Sequence, residues 1–232
     1  MSLSYRALAL LLRYPTDETR AALDEAVAVL QKDAALPHPI KRALARLGEE
    51  VGAGDLYEAQ ERYVWLFDRT RSLSLNLYEH IHGESRDRGQ AMVALLELYR
   101  SKGLDLTANE LPDHLPVFLE FLSTQPPAEA ASLLGEASHV IAALGERLHK
   151  RGSAYRAAFG ALLALAAHPA DSEALAALLQ EPEDDPADLE AMDRLWAETA
   201  VTFGPSDVGC PKAEALVQAM QAPAPARARA SA

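Results

Sequence analysis

The sequence predicts an all-α fold, a single compact multi-helix domain with two long functional loops and a disordered C-terminal tail. Three observations predict it. Of 232 residues, 45 are Ala and 37 are Leu, against 10 Val and 3 Ile, so helix formers far outnumber the aliphatic residues that favour strands. Most of the chain repeats apolar side chains at i, i+3, i+4 and i+7. The interruptions of that rhythm fall mainly at Pro and Gly, which end helices.

The elements follow in order. Leu3, Ala7, Leu10 and Leu11 mark a first helix, which Tyr14-Pro15 stops. Thr16 is placed to cap the next, with Asp17 and Glu18 at its positive end and Leu23, Val27 and Leu30 as its stripe. Pro37 to Pro39 breaks the chain, a third helix covers Ile40 to Val51, and a fourth runs from the cap Asp55 to about Phe67. From Asp68 to Arg88 the rhythm fails, and the alternation of Leu73, Leu75 and Leu77 with polar residues is that of an extended segment. An isolated strand would have no partner in a helical chain, so an ordered loop with one helical turn is expected there. A helix carrying Met92, Leu95, Leu96 and Tyr99 ends at Gly103, and a second loop spans Leu104 to Pro112. Asp113 then stands where a cap would for a helix bearing Leu115, Phe118, Leu119 and Leu122. One long helix is expected from Ala128 to His149, and another from Tyr155 to Ala167, giving about eight helices by residue 168.

The domain boundaries expected are a helical domain over 1–168, a helical extension with an acidic linker over 169–222, and a disordered tail over 223–232. Within the extension, Ser172 to Leu179 and Asp188 to Thr199 read as short helices, and Glu181 to Glu190 holds six acids, two prolines and no base. The Ala, Pro and Arg repeats of the tail have nothing to bury.

Composition also excludes function classes. With 34 acidic and 22 basic side chains the formal charge is −12, which repels a polyanion and argues against nucleic-acid binding. No apolar run approaches the roughly 18 residues of a membrane helix, so no stable membrane insertion is expected. The single cysteine, Cys210, excludes an intramolecular disulfide and a multi-cysteine metal centre, and a reducing cytosol is the simplest compartment. Met1 to Arg13 lacks the features of a secretion signal and reads as the first helix.

Few residues invite a chemical reading. His80 and His82 flank Ile81 beside Glu79 and Glu84, but two positions apart on a helix point to opposite sides, so a metal site there is disfavoured even with His114 as a third ligand. Asp113-His114 has the form of half a triad, with Ser85 or Cys210 as nucleophile. No nucleophile elbow accompanies them, and no glycine-rich phosphate loop is present. Neither an enzyme nor a resident cofactor is expected. The two non-periodic segments, 68–88 and 104–114, are instead long loops of the kind that compact helical domains keep for binding.

Those segments carry a specific resemblance. Tyr63-Val-Trp-Leu-Phe67, Asn76-Leu-Tyr-Glu-His-Ile-His-Gly-Glu-Ser85 and Glu110-Leu-Pro-Asp-His-Leu-Pro-Val-Phe-Leu-Glu-Phe121 resemble the NarJ branch of the TorD-like redox-enzyme maturation chaperones over roughly residues 3 to 168. The resemblance implies a cytoplasmic chaperone that holds the catalytic subunit of respiratory nitrate reductase, through its N-terminal peptide, until the molybdenum cofactor is inserted. It carries Tyr63, Leu66 and Phe67 onto groove positions, Gly83, Glu84 and Ser85 onto a loop motif, and Glu110, Pro112, Asp113 and His114 onto a hinge motif. The client-peptide site expected is Tyr63, Leu66, Phe67, Glu84, Asp113, His114, Leu115, Phe118 and Glu120, with Glu110 and Pro112 in the hinge loop. The prolines and tryptophan that the wider family often has in its first loop are absent from residues 68–80. A monomer or a dimer is compatible with this reading. A general helical adaptor for another partner is the alternative, and a metal-dependent hydrolase using His80, His82 and His114 a remoter one.

Overall fold

The computed structural model describes residues 3–83, 85–106, 110–183, 185, 187 and 188, with the side chain of Arg86 excepted. The residues described up to 187 belong to one unit. The helix expected at 188–199, the irregular stretch 205–211 with Cys210, the tail 223–232 and Glu84 lie outside the described residues.

Twelve α-helices are described, and no strand among the described residues. They are α1 (Leu3–Leu11), α2 (Asp17–Ala21), α3 (Leu23–Lys32), α4 (His38–Gly52), α5 (Leu56–Phe67), α6 (Leu77–His82), α7 (Arg86–Ser101), α8 (Leu115–Thr124), α9 (Pro127–Glu136), α10 (Ser138–Lys150), α11 (Arg156–Leu165) and α12 (Ser172–Gln180). Two of the expected caps form as read. Thr16 closes a capping box with Thr19 on α2, and the Asp55 carboxylate accepts the Tyr57 N–H at the start of α5.

The core is built around α1 and α10. α1 packs on α3, α8 and α11, and α10 on α11 and α12. Leu8, Leu12, Leu44, Leu119, Ile141 and Leu144 are fully enclosed there, each contributing about 1.5–3 kcal/mol by leaving water. α3 and α4 come so close that a methyl group at Gly48 would lie 2.6 Å from Val27 Cγ2, which is why a glycine stands at that crossing. Beyond residue 168, α12 joins the same core through Leu178, and the buried guanidinium of Arg147 on α10 donates to the carbonyls of Ser72 (2.8 Å) and Leu178 (2.6 Å).

Four elements differ from the sequence expectation. The second helix divides at Ala22 into α2 and α3. The long helix expected over 128–149 is two, α9 and α10, broken at Ala137, so eleven α-helices, not about eight, precede residue 168. The apolar stripe runs on through that break, and only Gly135 signals it, since its bare face admits His168 against α9. The first loop contains a 3-10 turn (Arg71–Leu73) and the whole of α6. α7 starts at Arg86 and not near Met92, because its first turn is polar and exposed while Ser85 caps it by accepting the Asp87 N–H.

Candidate binding cleft and the joint beside it

The two connecting segments meet each other. Leu73, Leu75 and Leu77 are all buried, so their alternation places them in the core and leaves no leucine face for a partner. Between them Ser74–Asn76 is extended, and Asn76 forms a single antiparallel bridge with His114. The Leu115 N–H donates to the Leu75 carbonyl at 2.8 Å, and the Leu77 N–H donates to the Asp113 carbonyl at 3.1 Å. The extended stretch therefore finds its partner in the second loop.

Asp113 seals this joint, and its role differs from the one expected. It does not cap α8, whose N-cap residue is His114. Its carboxylate instead accepts the Tyr78 N–H of α6 at 3.0 Å, across 35 residues of sequence, and so caps a helix whose own N-cap residue, Asn76, supplies no side-chain bond. Asp113 is 0% exposed. Burial holds its carboxyl above the usual carboxylate range, while the Tyr78 N–H and Arg88 pull the other way. The second oxygen of Asp113 and the Nε of Arg88 have no hydrogen-bond partner. Pro112 adds its carbonyl, which accepts the buried Tyr99 hydroxyl of α7 at 2.7 Å. Glu110 lies 3.7 Å from His114 Nδ1, and burial pushes the His114 imidazole below its ordinary pKa. Residues 110, 112, 113 and 114 thus make the link between α6, α7 and α8.

Beside the joint lies an apolar cleft of about 390 Å³. Leu77, Tyr78 and Ile81 of α6 form one wall, Ala94, Leu95 and Leu98 of α7 the roof, and Phe118 and Leu133 the floor, with Glu136 among the lining residues. Ile81 is 44% exposed, an unusual position for a large aliphatic side chain beside an open hollow.

The expected site residues separate into three groups. Phe118 lines this cleft. Tyr63, Phe67 and Leu115 are in the core: the Tyr63 hydroxyl donates to the Leu12 carbonyl at 2.9 Å, and the rings of Tyr63 and Phe67 lie 4.9 Å apart, with Tyr155 5.0 Å from Phe67. Leu66 is also buried, at the edge of a different, polar hollow next to Trp65. Glu120 pairs with Arg13 at 2.5 Å on the surface, away from the cleft lining. Tyr78, Ile81, Leu98, Leu133 and Glu136 also line the cleft and are not among the expected client-site residues. A signal existed for Leu98, which shares one face of a helix with Ala94 and Leu95.

The other chemical readings lose their geometry. His80 Nε2 is 2.8 Å from the Ser74 carbonyl and His82 lies edge-on to Tyr78, so the two rings serve the loop. Among the described residues no group of three or more His, Cys, Asp or Glu is placed to hold a metal ion. The Ser85 hydroxyl accepts the Asp87 N–H at 3.2 Å as the cap of α7. No described helix is long and apolar enough to cross a membrane.

Comparison with known proteins agrees with this architecture. Residues 16–161 match the family described as the nitrate reductase delta subunit. The chain is 41% identical over 201 residues to the nitrate reductase molybdenum cofactor assembly chaperone NarJ of Escherichia coli K12, covering 86% of this chain and 84% of that protein. It is 30% identical over 162 residues, 70% of this chain and 87% of the other, to a Bacillus subtilis protein named as a probable chaperone of the same kind. In fold it is similar to an Archaeoglobus fulgidus protein described as a redox enzyme maturation protein, with a TM-score of 0.51, 22% identity, and coverage of 70% of this chain and 91% of that one. The family match over residues 16–161 and the 41% identity to a relative across most of both chains place the chain: it belongs to the nitrate reductase delta subunit family.

Proposed function

We propose that this chain is an assembly chaperone for nitrate reductase, and that it works by binding and not by catalysis. It holds the catalytic subunit by that subunit's N-terminal peptide, in the cleft between α6, α7, α8 and α9, and keeps it competent for insertion of the molybdenum cofactor. The chaperone role is supported by relatives that carry that name at 41% identity, and the place of binding by the apolar cleft itself.

The occupant argued for is an amphipathic helix with basic flanks. A hollow of about 390 Å³ takes the apolar anchors of such a helix and not the helix entire. Glu136 at its edge and a chain charge of −12 favour a cationic partner and speed its approach. Asp113 and Leu115 then act by fixing the distance between α6 and α8, and Phe118 by touching the client. The cytoplasm is the compartment that this role requires.

Titration calorimetry with a synthetic peptide covering the first residues of a nitrate reductase catalytic subunit tests the proposal. Binding at micromolar strength or tighter, about −8 kcal/mol or better, is expected. Ile81→Glu places a charge at the mouth of the cleft and should weaken binding about tenfold or more with an unchanged melting temperature. No binding, or equal binding of a scrambled peptide, overturns the peptide site. Equal affinity for the leader of an unrelated redox enzyme favours a general helical adaptor instead.

A further inference from the structure

We propose that α7 is a lid over the apolar cleft, hinged at Gly83 and Gly103 and held shut by the Tyr99 hydroxyl. The lid deepens the reading of the cleft as the client's entry point and rests on it for the identity of the occupant.

α7 is poorly anchored for its length. Among the residues of α7 whose side chains are described, only Leu95 and Tyr99 are buried, whereas the 10-residue α8 buries Leu115, Pro116, Phe118, Leu119, Phe121 and Leu122. Under its inner face lies the hollow of about 390 Å³, so Leu95 and Leu98 look onto empty space where a close-packed interior would supply atoms. Few dispersion contacts therefore oppose a displacement outward.

Both ends of α7 are built to turn. Gly83 precedes it at φ 54° and Gly103 follows it at φ 78°, and no atom lies within 4 Å of where a side chain would stand at either position. Backbone of this kind rotates without a steric barrier from its surroundings. Three ties remain. Lys102 to Glu129 (2.6 Å) is an exposed pair of small worth. Arg88 to Glu79 (3.5 Å) joins α7 to α6, next to the Gly83 hinge. The bond from the Tyr99 hydroxyl to the Pro112 carbonyl, 2.7 Å and buried, fastens the far end to the joint. Tyr99 is thus the latch, and with it released the Gly103 end of α7 swings outward about Gly83, which widens the cleft to admit a helix.

Thiol labelling of the full chain tests the lid. In a Cys210→Ser background, Ala137→Cys places a thiol on the cleft lining and Ala158→Cys one in the core of α11. Each is labelled with a bulky maleimide, with and without Tyr99→Phe, which removes the latch and keeps the ring that lies 4.5 Å from Phe121. The expected result is labelling of Ala137→Cys accelerated about fivefold by Tyr99→Phe, the factor that a net hydrogen bond of about 1 kcal/mol corresponds to, at a rate that urea below the unfolding transition leaves nearly unchanged, while Ala158→Cys is labelled only with the steep urea dependence of global unfolding. The same steep urea dependence at both positions means that global unfolding exposes both and overturns the lid, as does no acceleration at Ala137→Cys. Saturating client peptide separates the two readings. If it slows labelling of Ala137→Cys, lid and occupant both stand; if Tyr99→Phe acts selectively and the peptide does nothing, the lid stands and the client site falls.

Discussion

Replacing Asp113 by Ala distinguishes a residue that builds the site from one that touches the client. The substitution removes the acceptor of the Tyr78 N–H and leaves that amide at the start of α6 without a partner. An N-cap lost to Ala costs about 0.5–2 kcal/mol, and a buried donor left unsatisfied about 1–3 kcal/mol. Against this stands the relief of burying a carboxylate whose pKa is raised by desolvation. A net loss of about 2 kcal/mol follows, or about 4–8 °C in melting temperature for a domain of this size. Asp113→Asn keeps an oxygen acceptor and should recover most of that loss at pH 7. The pH dependence has a definite sign. Because the folded pKa is raised, the stability contribution of Asp113 is complete below its unfolded value of about 3.9 and is lost as pH rises through the folded value. The wild type should therefore lose stability relative to Asp113→Asn over that window and level off above it. Thermal unfolding between pH 4 and 8 measures all three proteins. An Ala variant with unchanged melting temperature but lost peptide affinity would refute the capping argument and return Asp113 to direct client contact.

Other outcomes follow from the same geometry. Arg147→Lys cannot span the Ser72 and Leu178 carbonyls that the guanidinium bridges, so a loss of about 2–3 kcal/mol and early proteolysis near α12 are expected, read by urea unfolding and limited digestion. His80 and His114 have pKa values lowered by burial, so the unfolded chain takes up protons first and stability should fall as pH drops from about 6.5 through their folded values. His80→Gln should flatten part of that slope in a chemical denaturation series. Ala94→Leu projects into the cleft and fills part of it, raising stability by about 1 kcal/mol while reducing peptide affinity about tenfold, which paired calorimetry and thermal melts would show.

Much of the fold was legible because its signals are local. The caps at Thr16 and Asp55 each need only a side chain and an amide two or three positions on, and the stripe of Leu115, Phe118, Leu119 and Leu122 needs only one helix. The break at Ala137 had only Gly135 as a local signal, and what accompanies it is long-range: residues 166–168 pass over α9, where the Ala167 N–H donates to the Ala131 carbonyl at 2.9 Å. The start of α7 was hidden for a different reason, its first turn being wholly polar. At the joint, the motif from Glu110 to His114 led to the expectation of a local cap, and the structure gives Asp113 a different contact. Asp113 stands where a local cap of α8 would, and only the approach of α6 across 35 residues shows that its acceptor serves another helix. The alternation of Leu73, Leu75 and Leu77 marked the extended stretch, but the segment that bridges to it comes from the second loop and is not signalled locally.

The placement of the polar joint next to an apolar hollow has a physical logic. Side-chain packing alone would draw α6, α7 and α8 together until the space between them closed, since each methylene removed from water contributes about 0.8 kcal/mol. The backbone bonds between 75–77 and 113–115, with the Asp113 and Tyr99 contacts at either side, fix a separation that apolar contact does not choose. Directional bonds have a preferred length and hydrophobic contact does not, so a fold that must keep an apolar surface available can hold it open with the former. The expectation for Ala94→Leu follows from that opposition. If the hollow were an accident of packing, filling it would stabilise the protein at no functional loss. If it is kept for an occupant, stability and affinity must move in opposite directions on the same substitution, and a variant that gains both would show that the client binds elsewhere.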